Sequence, residues 1–183
     1  MDGITFDFAA GAPVLGEDEV MTAELASEIV WDALDLDGLL ADPTYRVIAD
    51  MGVAGKAWRV NGFTPAGEPW DYFVVPIHDP DMRGVLALVG LSASDGAFEQ
   101  IRSFRAPQAI AFRSTRDANS AARGLLRRGE SLVGGELCWD PRCDDSYCRS
   151  PELPYFEYAV IGADRKTTGR VIVPIQKNPA LRR

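Results

Sequence analysis

Two stretches of the chain have the hydrophobic spacing of amphipathic helices. The first lies between about 20 and 40, and its apolar residues recur three and four positions apart, at Met21, Leu25, Ile29, Ala33 and Leu36. The second lies at 115–128, and its apolar face holds Ala118, Ala121, Ala122, Leu125 and Leu126. Ser114 and Asp117 have the spacing of a capping box at the start of this second helix. Each helix is therefore predicted to bury one stripe of side chains.

Elsewhere the pattern changes to short apolar runs that are typical of strands. These runs lie at 72–79, 83–93, 97–104, 131–139, 155–162 and 169–176. The segment 45–52 also has strand composition, and Pro43 is predicted to end the first helix because proline disfavours helical conformation in the preceding residue. Turn signals at Asn61-Gly62 and at 65–67 indicate an extended hairpin over 53–69.

A helix followed by an aromatic-led strand and a second strand occurs twice. Tyr72-Phe73 opens such a strand in the first half, and Tyr155-Phe156 opens one in the second half. We therefore predict an α+β fold of two helix-plus-antiparallel-sheet units in tandem, with each helix packed across its sheet. The predicted boundaries are an N-terminal arm, a first unit, a second unit and a C-terminal tail, at 1–19, 20–108, 109–176 and 177–183.

The first half resembles PepSY domains in its strand pattern. YFVVPI (72–77) followed by VLALVGLSASDGAFEQI (85–101) is similar to the PepSY signature, whose second strand ends in an Asp-x-x-Thr-Gly turn. Only Gly96 matches that turn, since Ser92 and Asp95 replace its Asp and Thr. YFEYAVIGADRKTTGRVIVPI (155–175) is a shorter version of the pattern. The resemblance implies a cystatin-like fold and a non-catalytic role in binding, chaperoning or inhibiting partners such as proteases; PepSY proteins usually lie outside the cytoplasm.

Composition limits the class of partner. The 183 residues are 46% hydrophobic with a mean hydropathy of -0.08, which is enough to bury a core. A formal charge of -8 argues against nucleic acid, whose affinity comes from clustered lysine and arginine. No run approaches about 18 apolar residues, so no membrane span is predicted. The N-terminus is acidic and lacks the basic region of a secretory signal, so we expect a cytoplasmic protein.

Three cysteines offer candidate metal ligands, with four residues between neighbours: Cys138, Cys143 and Cys148. Together with His78 they could form a Cys3His set of the kind that holds structural zinc, although no Cys-x-x-Cys pair is present. The alternatives are free thiols and a Cys143–Cys148 disulfide, which an oxidising compartment would allow. We predict no bound metal and no cofactor.

His78 is the only histidine in the chain. It could serve as the base for a cysteine nucleophile, oriented by Asp79 or Asp81. The alternative function is therefore a small-molecule or metal-dependent enzyme with a cleft near His78 and the cysteine loop. No nucleophile lies in a recognisable motif such as Gly-x-Ser-x-Gly, so no catalytic residue is predicted.

Aromatic side chains are the candidates for a binding surface, because aromatic residues are favoured at the centres of protein interfaces. They are Trp58, Phe63, Trp70, Trp139, Tyr147 and Tyr155. A hairpin that carries three of them could present an apolar contact patch. We predict a non-enzymatic protein-binding module, acting as an inhibitor, an immunity-type protein or an accessory protein on another protein. A homodimer paired through sheet edges is the structural alternative.

Overall fold

The structure is a computed structural model that describes residues 14–15, 20–143, 150–177 and 181–182. Within these residues the helices are α1 (Ala23–Leu36), α2 (Pro43–Met51) and α3 (Thr115–Arg123), with a 3-10 turn at Leu39–Ala41. The strands are β1 (Val53–Ala54), β2 (Trp58–Gly62), β3 (Tyr72–His78), β4 (Val85–Ser92), β5 (Phe98–Gln108), β6 (Ser131–Trp139), β7 (Tyr155–Ile161), β8 (Thr167–Pro174) and β9 (Leu181–Arg182). Strand pairing is mostly antiparallel, so the predicted α+β class is confirmed.

The chain divides into two compact units. The first holds the described residues up to Arg59 together with 71–109, and the second holds 60–70 together with the described residues from Ile110 onward. The segment 60–70 therefore lies in the second unit, whereas the predicted boundaries placed it in the first. The physical reason is its pairing, because the end of β2 runs parallel to β6.

Helix α1 of the first unit begins at Thr22, whose hydroxyl accepts a hydrogen bond from the backbone N–H of Leu25 over 3.1 Å. Its buried residues are Ala26, Val30, Ala33 and Leu34. The predicted helix is confirmed, but its buried stripe is rotated from the predicted one. Leu36, at the end of that predicted stripe, is 57% exposed.

The strand prediction for 45–52 was wrong, because residues 45–51 belong to helix α2 and Gly52 caps it. The carboxylate of Asp42 accepts a hydrogen bond from the N–H of Thr44 over 2.7 Å, and Pro43 occupies the first helical turn. Proline is favoured there because the N–H groups of the first helical turn have no hydrogen-bond partner within the helix, so the N–H that proline lacks is not missed. Asp42-Pro43 thus begins a new helix, which buries Ile48 against the core.

The sheet of the first unit contains β1, β3, β4 and β5, with each strand antiparallel to its neighbour. β3 and β4 are buried at every position except His78, which is half-buried. Their side chains form the main core of this unit with α1 and α2. Because both strands are almost fully buried, they read as continuous apolar runs in the sequence.

In the second unit, α3 packs against β6, β7 and β8. The capping box at its start is confirmed, since the Ser114 and Asp117 side chains each accept from the other's backbone N–H. The helix ends at Arg123, five residues before the predicted end, so Leu125 lies outside it and is half-buried. Leu181–Arg182, within the predicted C-terminal tail, pairs with β8.

Candidate functional site

A short hairpin at 60–70 carries two of the predicted aromatic contacts. Phe63 and Pro69 form an antiparallel bridge, and the N–H of Thr64 donates to the carbonyl of Glu68 over 2.9 Å. Gly67 closes the turn with a φ of 88°, a left-handed conformation that favours glycine. The predicted turn is present, but the hairpin spans 60–70 rather than 53–69.

The 60–70 hairpin is fixed to the end of β6. The N–H of Phe63 donates to the carbonyl of Trp139 over 3.1 Å, directly after the parallel pairing of β2 with β6. The rings of Trp70 and Trp139 meet edge to face, with centroids 5.8 Å apart and planes at 73°. Trp139 is 4% exposed and Trp70 is half-buried. Trp139 therefore packs against the hairpin, while Phe63 and Trp70 are half-buried.

Arg142 lies over the ring of Phe63, with its Cζ atom 5.3 Å from the ring centroid. Nε and Nη2 of Arg142 donate to the two carboxylate oxygens of Asp140, each over 2.9 Å. A Cβ atom at Gly67 would collide with Nη1 of Arg142, so the glycine leaves the space that the guanidinium needs. We call the patch formed by Phe63, Gly67, Trp70, Asp140 and Arg142 the aromatic–arginine surface.

The ion pair between Asp140 and Arg142 shifts the pKa of each group in the direction that favours its charged form. The hydrogen bonds from Arg142 hold the pKa of the Asp140 carboxyl below its ordinary value, against a smaller opposing effect of desolvation. The same contact raises the pKa of Arg142. Both groups therefore stay charged at neutral pH, and the guanidinium keeps its bidentate geometry.

Of the other predicted contacts, Tyr155 is 1% exposed and packs with Ile172. Trp58 is half-buried and belongs to the first unit. Tyr147 lies outside the described residues. The sequence reasoning missed Arg142, Asp140 and Gly67; the Asp-x-Arg spacing beside Trp139 was the available signal.

A second cluster lies on β6, β7 and β8 next to the cysteine loop. The thiol of Cys138 donates to Oε2 of Glu157 over 3.6 Å, and Nη1 of Arg170 lies 3.5 Å from Oε1 of the same carboxylate. Nη2 of Arg170 lies 4.0 Å from the sulfur of Cys143. Cys138 is a free thiol and Cys143 is disulfide-bonded, while Cys148 lies outside the described residues.

The environment of Cys138 makes it a weak nucleophile. Burial, followed by the charge of Glu157, raises the pKa of the thiol well above its ordinary value. Burial likewise raises the pKa of the Tyr155 hydroxyl, with Cys138 and Glu157 adding to it. Because the thiolate is the reactive form, a protonated Cys138 does not suit nucleophilic catalysis.

His78 ends β3 in the first unit, where it pairs with Val53 and Val85. Its ring packs over Gly55, and a Cβ there would lie 2.7 Å from Nε2. The carboxylate of Asp79, a candidate to orient His78, instead accepts from the backbone N–H groups of Arg83 and Gly84. The Asp79 carboxylate therefore stabilises the turn between β3 and β4.

The proposed Cys3His ligand set is incomplete, because a disulfide sulfur is not the thiolate that zinc requires. Within the described ranges, no group of three or more His, Cys, Asp and Glu side chains is placed to hold a metal ion. In the same part of the chain, no helix is long and apolar enough to cross a membrane. Comparison of the chain with protein-family models, with curated proteins and with solved structures gives no match.

Proposed function

We propose that this chain is a non-enzymatic protein-binding module that uses the aromatic–arginine surface to bind another protein. Its role would be that of an inhibitor, an immunity-type protein or an accessory protein. The observation that carries the proposal is the placement of Arg142, which lies over the half-buried ring of Phe63 and is held there by Asp140. Tryptophan, tyrosine and arginine are the residues most enriched at interface hot spots.

The geometry favours binding because the contact residues are fixed before a partner arrives. Arg142 makes two parallel hydrogen bonds to Asp140, and the space beside Gly67 admits its guanidinium. Ordering a long side chain on binding costs about 0.5–1.5 kcal/mol, and a side chain that is already ordered avoids most of that cost. Phe63 and Trp70 add apolar area at the same place.

We further propose that the two units are pseudo-repeats of one PepSY-like or cystatin-like plan. In each unit the aromatic pair opens a strand that runs antiparallel to the next strand. Tyr72 pairs with Ser92 at the end of β4, and Tyr155 pairs with Pro174 at the end of β8. The non-catalytic role that the resemblance implies agrees with the protonated state of Cys138.

The proposed compartment is the cytoplasm, because an odd number of cysteines, three, fits a reducing compartment. The disulfide at Cys143 points in the opposite direction, because disulfides persist mainly in oxidising compartments. Thiol counting on protein isolated from its host under acid-quenched conditions distinguishes the two. A bridged Cys143 in that material would exclude the cytoplasmic location.

The binding proposal is tested by two single substitutions, Phe63→Ala and Arg142→Ala. Each should weaken capture of the partner from host cells by about thirtyfold, the equivalent of roughly 2 kcal/mol for an interface hot spot. Capture is quantified by crosslinking and mass spectrometry, and thermal unfolding is measured on each variant. Because Arg142 is exposed and Phe63 is only half-buried, the unfolding midpoint should change little.

A matched control exists in the first unit, where Arg102 lies over the ring of Phe104 with its Cζ 5.6 Å from the centroid. Phe104→Ala and Arg102→Ala remove the same chemical groups from a similar contact. They should leave capture at the wild-type level. Equal losses in both pairs, or no loss in either, would reject the aromatic–arginine surface as the binding site.

A further inference from the structure

Charge is distributed very unevenly along this chain. Residues 1–50 hold twelve of the 27 acidic residues and one of the 19 basic ones, Arg46. That part therefore carries a formal charge of -11, and the remainder carries +3, which together give the chain its -8. Seven of the twelve acidic residues lie in the described part of this segment, and five of the seven are on helices α1 and α2 of the first unit.

The carboxylates of α1 form one exposed stripe. Glu24, Glu28, Asp32 and Asp35 are spaced by three and four residues, and all four are exposed. None of the ion pairs found among the described residues uses them. Their charge is therefore available to a partner.

The neighbouring helix exposes apolar side chains. Val47 and Met51, one helical turn apart on α2, are 51% and 50% exposed, and Val53, the first residue of β1, is 44% exposed. Five of the seven large hydrophobic side chains that are exposed among the described residues lie between 20 and 53. Ile48, which follows Val47 on the same helix, is buried in the core, so the apolar surface of α2 extends from the core to the exposed Val47 and Met51.

The acidic stripe and the apolar residues meet at the end of α2. A Cβ atom at Gly52 would lie 3.4 Å from the ring of Trp31, so that ring closes against the residue between Met51 and Val53. Glu28 and Asp35 are three and four residues from Trp31 and flank it on the surface of α1. The hydroxyl of Ser27 donates to the carbonyl of Gly55 and accepts from the N–H of Ala57, which fixes α1 against this segment.

We propose that Val47, Met51 and Val53, bordered by the carboxylates of α1 and Asp50, form a second docking surface, which we call the α1–α2 face. Its occupant is a basic amphipathic segment of a partner protein. Such a segment places apolar side chains against the exposed valines and methionine and its lysines or arginines against the carboxylates. Nucleic acid and anionic membranes are repelled by the same charge.

The probe is a synthetic peptide with leucine and lysine at helical spacing, and its matched control has glutamate in place of lysine. Binding is followed by backbone amide chemical shifts in solution. The Lys–Leu peptide should shift resonances of α1, α2 and β1, with an affinity that falls as salt rises. The Glu–Leu peptide should produce no shifts, because like charges oppose its approach.

Two double variants locate the site. The double variant Val47→Gln with Met51→Gln should lower the affinity for the Lys–Leu peptide by about tenfold, because apolar contact area is lost. Val133→Gln with Met82→Gln changes the same residue types at positions that are 60% and 53% exposed, and should bind like the wild type. Glu28→Gln with Asp35→Asn removes two charges and should reduce both affinity and salt dependence, which keeps the test available if the first variant fails to fold.

Three results would overturn the proposal: equal effects of the two apolar double variants, binding of the Glu–Leu peptide, or chemical shift changes that lie outside the α1–α2 face. Sedimentation of the wild-type protein gives a fourth. If the chain self-associates and the Val47/Met51 double variant does not, the occupant is a second copy. The Phe63→Ala variant should bind the Lys–Leu peptide like the wild type. The test of the α1–α2 face can therefore fail without affecting the proposal for the aromatic–arginine surface.

Discussion

The thiol of Cys138 on β6 donates a hydrogen bond to the carboxylate of Glu157 on β7 over 3.6 Å. Arg170 on β8 contacts the same carboxylate from the other side. In this arrangement the Cys138 thiol keeps its proton and donates a hydrogen bond, so it is not placed to act as a nucleophile. It decides how the cysteine region should respond to chemical probes.

Cys138 should react with iodoacetamide at pH 8 at least about tenfold more slowly in the native protein than in denaturant. Burial and the charge of Glu157 raise the pKa of the thiol, and each pKa unit changes the thiolate fraction tenfold. Glu157→Gln should accelerate the native reaction, because it removes the negative charge. Peptide mass spectrometry of the alkylated protein measures both rates, and a native rate equal to the denatured rate would contradict the structure.

The number of reactive thiols should depend on reduction. A disulfide at Cys143 consumes two of the chain's three thiols. Denatured protein should therefore bind one equivalent of a thiol reagent before reduction and three after it. Three equivalents without reductant would show that Cys143 is not bridged, and would restore the candidate zinc ligands.

Asp140 should titrate below its ordinary value of 3.8, because Arg142 stabilises its charged form. Its pKa is lower in the folded than in the unfolded chain. The stability it contributes is therefore present above the unfolded value and is lost as the pH falls through the folded one. Carbonyl chemical shifts of Asp140 measure the titration, and the Phe63 ring resonances should move over the same pH range.

The matched control for this titration is Arg142→Ala, which should return the pKa of Asp140 toward 3.8. An Asp140 titration that is the same in both proteins would show that Arg142 does not pair with Asp140 in solution.

His78→Ala should leave partner capture unchanged. The proposed binding surface lies in the second unit and needs no proton transfer, whereas His78 belongs to the first unit. We expect a loss of stability of about 1 kcal/mol, the usual size for a point substitution. Capture and thermal unfolding are measured in parallel with a screen for hydrolytic activity. Loss of a turnover that the wild type possesses, with the fold intact, would establish the enzyme alternative.

Leu34→Ala should lower the free energy of unfolding by about 2–5 kcal/mol, because it leaves a cavity in the core of the first unit. Leu34 is 1% exposed. Leu36→Ala, two residues away on the same helix, should change it by less than about 0.5 kcal/mol, since Leu36 is 57% exposed. Urea unfolding of both variants gives the comparison. Similar effects at the two positions would mean that α1 is rotated from the orientation described.

Strand positions could be predicted from the sequence wherever burial was continuous. β3 and β4 are apolar along nearly their whole length because they are buried on both faces, and such runs are visible without any tertiary information. The start of α3 was equally predictable, since its capping box involves residues three positions apart. Local chemistry of this kind does not depend on the rest of the fold.

Helix α2 shows where composition was misleading. Tyr45, Val47 and Ile48 favour a strand, but Asp42 and Pro43 satisfy a helix start and burial of Ile48 stabilises it. The end of α3 was misjudged for a related reason. Gly124 ends the helix at Arg123, and Leu125 continues into a turn with its N–H bonded to Ala122.

The sequence by itself determined the α+β class, the apolar strands, the capping box of α3 and the acidic character of the first fifty residues. The tertiary structure alone decided that the 60–70 hairpin joins the second unit, that Arg142 lies over Phe63, and that Trp139 supports Trp70. The physical reason is the separation along the chain of the residues that interact. Caps and periodicity act over three or four residues, whereas Arg142 and Phe63, like Trp139 and Trp70, are about seventy to eighty positions apart, and only the pairing of β2 with β6 brings them together.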